Sequence, residues 1–436
     1  LKCCSRWPKR ACKMTRGAWL GVSVVGACVL LPYNCVLLAQ AYFDRHAFPG
    51  LKFPFTSMLC YSGPLCIGQA VLTVIANRYT VSGRMQLANV GSGLVCAVLM
   101  VITLLTHTTS ATGAVYAACL VAILALSTMN SIMQTAILGL AGTMGPTFSA
   151  AAMFGFGICG LAAFGISLLL ELIFRGMAED TAGMLQAMVL FAFCLLYVLA
   201  SSWVFHGCMS RQVPKVMEAL MTLEEQRSRR SGARDLQLND GAGACDASPL
   251  DSERLSESSR KSSWQSIASV LRRIAPQAFN IWLVFVVTMA IFPGVMDSWA
   301  PQSGSAFLAN PDLLSTLLTG TFQIFDVVGR YTAELVAHRV PPRKLWILVV
   351  LRLLFVPLFM LGQRSPGSSA LWGSDWGRIL LVALMALSNG FAASCAMMFG
   401  PGLCEGSSRE VAGIAMSFTM VTGIFCGTLL AFLTQL

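Results

Sequence analysis

Residues 17–42 read GAWLGVSVVGACVLLPYNCVLLAQAY, without one Lys, Arg, Asp or Glu. A helix of that length rises about 39 Å at about 1.5 Å per residue, more than the roughly 30 Å of a bilayer's hydrocarbon layer. The preceding residues 1–16, LKCCSRWPKRACKMTR, carry six cations (Lys2, Arg6, Lys9, Arg10, Lys13, Arg16) and no acid. A cationic tail ahead of an uncharged run reads as a first membrane span that starts in the cytoplasm. No small-residue cleavage site leads into a soluble domain, so the tail is not read as a removable signal peptide. The chain opens at Leu1 instead of Met, so further residues are expected upstream.

The pattern repeats along the chain. Windows long and apolar enough to cross a membrane lie near 17–42, 53–77, 85–106, 112–139, 147–174, 184–206, 274–296, 311–336, 345–363, 378–400 and 410–434. Of the 436 residues 56% are hydrophobic and 11% charged, less than half the roughly 25% charged of a soluble domain. Lipid offers backbone groups no partner, and no barrel-like alternation is visible, so the windows must be helices. The expected fold is an all-α polytopic membrane protein of 11 transmembrane helices. With the N-terminus cytoplasmic, 23 Lys and Arg fall on the inner side and five (Arg45, Lys52, Arg175, Arg364, Arg378) on the outer side. Without the 11 cations of the long central loop the ratio is still 12 to five. The charge rule therefore favours N-in, and an odd span count places the C-terminus outside. The net charge of +10 is mostly this orientation signal and not a nucleic-acid patch.

One segment breaks the rhythm. Residues 207–272 include ASPLDSERLSESSRKSSWQS and balance nine basic against nine acidic residues within 208–270. Roughly 213–230 suits a short amphipathic helix, and the remainder reads as disordered. The expected division is a basic tail (1–16), a six-helix bundle (17–206), a cytoplasmic loop (207–272) and a five-helix bundle (273–436).

Much chemistry is absent. There is no GxxxxGK[ST], no HExxH and no GxSxG, and His46, His107, His206 and His338 are far apart in sequence. Sixteen cysteines are scattered with no CxxC pair, many within apolar runs, where a free thiol acts as a small hydrophobe. No metal, cofactor or enzymatic activity is expected. Channels, facilitators, ion-coupled transporters and receptors remain.

Ionisable groups inside a span are costly and so mark candidate sites. The richest span holds TLLTGTFQIFDVVGRYTAEL (316–335). Asp326 and Arg330 are spaced i, i+4, on one helix face, and can pair; Gln323 lies on the same side and Glu334 continues the stripe. A pair that only helps the bundle fold is the plain reading. A polar stripe facing a central cavity, with a carboxylate to accept hydrogen bonds and a guanidinium to donate them, is the functional one. Gln134, Asn130, Asn34 and Asn389 read singly as interhelical hydrogen bonds or as ligand contacts. Arg352 reads as an anchor to carbonyls or to Glu334. The glycines of MFGFGICGLAAFG (153–165) and VTGIFCGTLL (421–430) read as close helix packing.

Several strings resemble the equilibrative nucleoside transporter family, in order and across both halves: LLPYN (30–34), GLAGTMGP (139–146), IFPGV (291–295), TFQIFDVVGR (321–330), RLLFVPLFML (352–361) and LSNGFAASCAMMFGP (387–401). The resemblance implies a major-facilitator-like bundle lacking one helix. It also implies that Asp326 and Arg330 hold ribose hydroxyls and that Gln134 contacts the nucleobase. Tyr33 stands where that family usually has tryptophan, Leu30 and Leu37 line the same pocket, and Met58 lies near an apolar contact of the second span. Phe292 matches an aromatic near the outer gate, and Gln323 stands where asparagine is frequent. The implied activity is facilitative transport of nucleosides by a monomeric unit in a lipid bilayer, with the plasma membrane the expected location. Nucleobases are further candidate substrates, and a proton-coupled nucleoside/nucleobase symporter, with Asp326 or Glu334 as the carrier, and a non-transporting receptor or scaffold are the alternatives.

Overall fold

The computed structural model describes residues 9–108, 113–242, 249–292, 311–364, 374–406 and 408–433, together with 296 and 299. Pro293, whose match to Pro32 would mark kinks at like places in the two halves, lies outside them. The described regular structure is helical: α1 (Lys9–Tyr42), α2 (Phe53–Ile75), α3 (Val81–Thr108), α4 (Gly113–Met144), α5 (Pro146–Ile173), α6 (Glu179–Trp203), α7 (Pro214–Ala242), α8 (Pro249–Ile291), α9 (Pro311–Val336), α10 (Leu345–Leu351), α11 (Phe355–Arg364), α12 (Asp375–Gly402) and α13 (Ser408–Leu433). Ten stretches of the described residues are long and apolar enough to cross a membrane, in α1–α6, α8, α10–α11, α12 and α13. The 26-residue α9 is long enough but carries Asp326, Arg330 and Glu334.

Local chemistry sets several of the ends. The Asp44 carboxylate accepts the Phe53 N–H at 3.1 Å, capping the start of α2 with a side chain. A 3₁₀ turn at Arg352–Leu354 separates α10 from α11, just ahead of Pro357, which has no N–H to give the preceding turn.

The helices form two half-bundles. In the first, α1 packs on α5 and α6, α3 on α4 and α6, and α2 on α4; in the second, α8 packs on α12 and α13, and α9 on α12. The halves meet where α13 lies on α2 and α4, and where α5 lies on α9 and α12. Glycines let backbones touch at the crossings. A Cβ on Gly329 would strike the Leu387 carbonyl, and one on Gly390 the Asp326 carbonyl, so α9 and α12 meet through reciprocal glycines. Gly423 and Gly427 sit against the α8 backbone at Trp282 and Val286, so this GxxxG pair serves packing within one half.

The described parts of the segment 207–272, residues 207–242 and 249–272, are more helical than their composition indicates. Helix α7 runs beyond the amphipathic stretch near 213–230, with Val216, Ala219 and Leu223 buried along one side and the Lys215 ammonium 5.5 Å from the Phe148 ring centroid. Helix α8 takes in the serine-rich run ahead of its span. Once the span is helical, each added residue closes a hydrogen bond without a new nucleation step, which offsets the weak helix preference of serine.

Candidate functional site

Asp326 and Arg330 lie one turn apart on α9, and Arg330 Nε donates to Asp326 Oδ2 at 2.7 Å, with both side chains 6% exposed. Arg330 Nη1 donates to the Met153 carbonyl on α5 at 3.0 Å. The guanidinium therefore reaches from the second half-bundle into the first. Glycines make that reach possible: a Cβ on Gly157 would lie 2.8 Å from Arg330 Cδ, and one on Gly160 2.5 Å from Gln323 Oε1. The glycines of 153–165 thus divide their work. Gly155 meets the α1 backbone at Ser23, whereas Gly157 and Gly160 clear space for two polar side chains of α9.

A second layer fixes the carboxylate. Asn389 Nδ2 on α12 donates to Asp326 Oδ1 at 2.8 Å. The Asn389 amide oxygen faces the Thr288 hydroxyl at 2.7 Å and Arg352 Nη2 at 3.4 Å. Arg352 also donates to the Met385 carbonyl (2.8 Å), to Thr288 (2.5 Å) and to the Ser388 hydroxyl. Its anchor is therefore carbonyl, hydroxyl and amide oxygen, and not Glu334. The i, i+4 spacing on α9 was readable in sequence. Thr288 carried no signal, because nothing in an apolar run says that its hydroxyl meets a residue 101 positions away.

Helix α1 presents a distinct face. Between residues 25 and 37 every side chain is buried except Leu30, Tyr33, Asn34 and Leu37. Those positions are i, i+3, i+4 and i+7, one side of a helix. Tyr33 stacks on Tyr61 of α2 with ring centroids 3.5 Å apart. The Tyr61 hydroxyl accepts from the Asn130 amide on α4. Asn34 Nδ2 donates to Cys159 Sγ at 3.4 Å, two residues along α5 from Gly157, which faces Arg330, so the α1 face adjoins the ion pair. Tyr61 was not singled out in sequence; Met58, one turn earlier on α2, is half-buried.

Gln134 is 1% exposed, and neither of its amide atoms has a hydrogen-bond partner among the described residues. A buried amide left unpaired is expensive. Phe292 stacks on Phe322 of α9, centroids 4.1 Å apart. Among the described residues Gln134, Met58, Leu37 and Phe292 make no hydrogen bond or ring contact with the pair.

At the end holding the α2–α3 and α12–α13 connections, the halves are bound tightly. Arg84 Nη2 on α3 donates to Glu410 Oε1 on α13 at 2.8 Å, with the side chains 4% and 11% exposed. Ser417 of α13 donates to Gln69 Oε1 of α2 at 3.0 Å. A Cβ on Gly142 would come 2.9 Å from the Arg409 carbonyl, and one on Gly413 would strike the Leu138 carbonyl.

An acceptor and a fork of donors, buried at a seam between two half-bundles, suit a neutral polar solute that must leave water to cross. The sequence model of a family described as "Nucleoside transporter" matches residues 118–436. The chain belongs to the nucleoside transporter family. This nucleoside transporter family member is 24% identical to equilibrative nucleoside transporter 1 of Rattus norvegicus over 96% of this chain and 97% of that one. It is 27% identical to equilibrative nucleoside transporter 2 of Homo sapiens over 95% and 96%. Among solved structures it is similar to FucP, a major facilitator superfamily transporter in the outward conformation, with TM-score 0.61, 12% identity and coverage of 96% and 92%. The proton:xylose symporter XylE matches with TM-score 0.56, 13% identity and coverage of 97% and 87%. The fold is that of the major facilitator superfamily.

Proposed function

We propose that this multi-pass membrane protein carries nucleosides by facilitated diffusion, passing each molecule through one site between its two halves by alternating access. The observation that carries the site is the Arg330 bond to the Met153 carbonyl, which sets the ion pair on the seam between the moving parts. A nucleoside is uncharged but rich in donors and acceptors, each costly to strip of water. Asp326 accepts from the ribose hydroxyls and Arg330 donates to them, with Gln323 beside the pair. The unpaired amide of Gln134 meets the base edge, Tyr33 stacks on the base, Leu30, Leu37 and Met58 form apolar wall, and Phe292 lies toward the outer mouth. Helix α9, 26 residues long, is the eighth of eleven crossings, with the N-terminus cytoplasmic and the C-terminus outside. Tail 1–16, bundle 17–206, loop 207–272 and bundle 273–436 are the working parts, a monomer is the transport unit and the plasma membrane is its location. The relatives' shared name, equilibrative, supports a passive cycle.

With that orientation the Arg84–Glu410 bridge closes the cytoplasmic side. Opening that side separates the pair into water, whereas a substitution that removes one partner leaves the other buried without its opposite charge, at a cost of about 3–5 kcal/mol. Arg84→Glu is expected to lower maximal uptake about tenfold or more, and adding Glu410→Arg is expected to restore part of it. Uptake rates normalised to protein in the membrane check this.

The test of the function is uptake of radiolabelled adenosine and uridine into proteoliposomes. Both are expected to equilibrate to the outside concentration, with or without an imposed pH gradient. Absence of uptake, or accumulation that collapses with a protonophore, would reject a facilitative nucleoside carrier.

A further inference from the structure

Arg352 is 1% exposed, and among the described residues its hydrogen bonds run only to neutral oxygens, at Met385, Ser388, Thr288 and Asn389. A full charge buried among neutral acceptors needs an opposite charge nearby. Asp326 is the carboxylate on the far side of the Asn389 amide, whose oxygen meets Arg352 Nη2 at 3.4 Å and whose nitrogen donates to Asp326 Oδ1 at 2.8 Å. The amide is held one way round: its oxygen faces Arg352 and Thr288, and its nitrogen donates to Asp326.

Few other ionisable groups surround this carboxylate. On its own helix Arg330 bonds it, and Glu334 lies two turns further on. On α5 the ionisable residues are Cys159 and, three turns further on, Glu171. On α12 the run 379–402 holds only Cys395, on α8 the run 274–291 holds none, and on α10–α11 Arg352 stands alone between Lys344 and Arg364. One carboxylate is therefore answered by two guanidiniums, of which Arg330 reaches toward the other half-bundle and Arg352 stays within its own.

We propose that Arg352 is a positioning residue that keeps Asp326 ionised and aimed while Arg330 turns its donors from Asp326 to the substrate. The inference rests on the reading of Asp326 and Arg330 as the substrate's polar partners. When Arg330 engages the sugar, Asp326 loses its nearest counter-charge. A buried carboxylate without one favours its neutral, protonated form, which gives up one acceptor site to its own hydrogen. Arg352 supplies the standing positive charge that prevents this, so the cycle runs without taking up a proton. Wild-type uptake is then expected to be insensitive to pH because the site holds a spare cation, and not because it lacks an acid.

The experiment compares adenosine uptake in proteoliposomes by wild type, R352Q and R352K at about pH 7.5 and about pH 5.5. Gln keeps amide donors and loses the charge, whereas Lys keeps the charge and loses the fork. Wild type and R352K are expected to change less than about twofold between the two pH values, and R352Q to fall about tenfold in acid. In R352Q with adenosine bound, infrared difference spectra in acid should show the C=O stretch of a protonated carboxylic acid, absent from wild type. A flat pH profile for folded R352Q, or the same acid sensitivity in R352K, would overturn the proposal. So would a failure of R352Q to fold while R352K folds, since the buried positive charge would then serve the bundle's stability and not the transport cycle. No adenosine uptake by wild type would instead sink the transport reading, so the two failures are distinguishable.

Discussion

Asp326→Asn and Arg330→Ala are each expected to abolish nucleoside uptake while leaving protein measurable at the membrane. Asn is nearly the same shape as Asp, yet its amide nitrogen would point a donor at either Arg330 Nε or Asn389 Nδ2, both of which already donate to this position. The substitution thus removes a charge and sets donor against donor. Hydrogen bonds to a charged group contribute about 1.5–3 kcal/mol each, and about 1.4 kcal/mol is a factor of ten. Losing two such bonds to a ribose lowers occupancy of the site by roughly a hundredfold to ten-thousandfold. Arg330→Ala removes the donors and also the bond to Met153 that links the halves. Uptake per molecule at the surface checks both variants, and normal uptake by either would defeat the assignment of the site.

Gly390→Ala is expected to have the next largest effect, by a different route. A Cβ at Gly390 would collide with the Asp326 carbonyl, which is backbone and cannot rotate away. Helices α9 and α12 would have to separate, and with them Asn389 from Asp326. Overpacking of this kind typically costs about 1–3 kcal/mol, and here it also breaks a charge-assisted bond worth about 1.5–3 kcal/mol. Loss of most of the folded, monodisperse protein in detergent chromatography is the expected outcome. Gly165→Ala, where a Cβ meets nothing within 4 Å, is the matched control and should behave as wild type.

How much of this was legible in sequence follows from what each signal measures. An apolar run records that its residues must leave water, so the windows near 17–42, 53–77 and 147–174 lie close to α1, α2 and α5. The Asp326–Arg330 pair was legible because both partners sit on one helix at a fixed spacing. On the α1 face, Leu30, Tyr33 and Asn34 are local enough to fall within one string, LLPYN, whereas Leu37 was named only through the resemblance. Partners brought together by the packing of different helices were not legible. Tyr33 against Tyr61, Asn34 against Cys159 and Arg352 against Thr288 depend on which helix lies beside which, and hydropathy is blind to that. Glycines showed the same limit: 153–165 announced close packing, but only the arrangement of α1, α5 and α9 tells which glycine faces backbone and which makes room for Arg330 or Gln323.

The central claim, that the acid and guanidinium of α9 hold the sugar, is tested most directly by equilibrium binding to purified protein. Adenosine and 2′,3′-dideoxyadenosine are titrated against wild type and Asp326→Asn, both confirmed folded. Wild type should prefer adenosine by about tenfold to ten-thousandfold, the worth of one or two hydrogen bonds to a charged group. The variant should bind both ligands weakly and with little preference. An undiminished preference for adenosine in folded Asp326→Asn would contradict the account, because the ribose hydroxyls would then be held elsewhere.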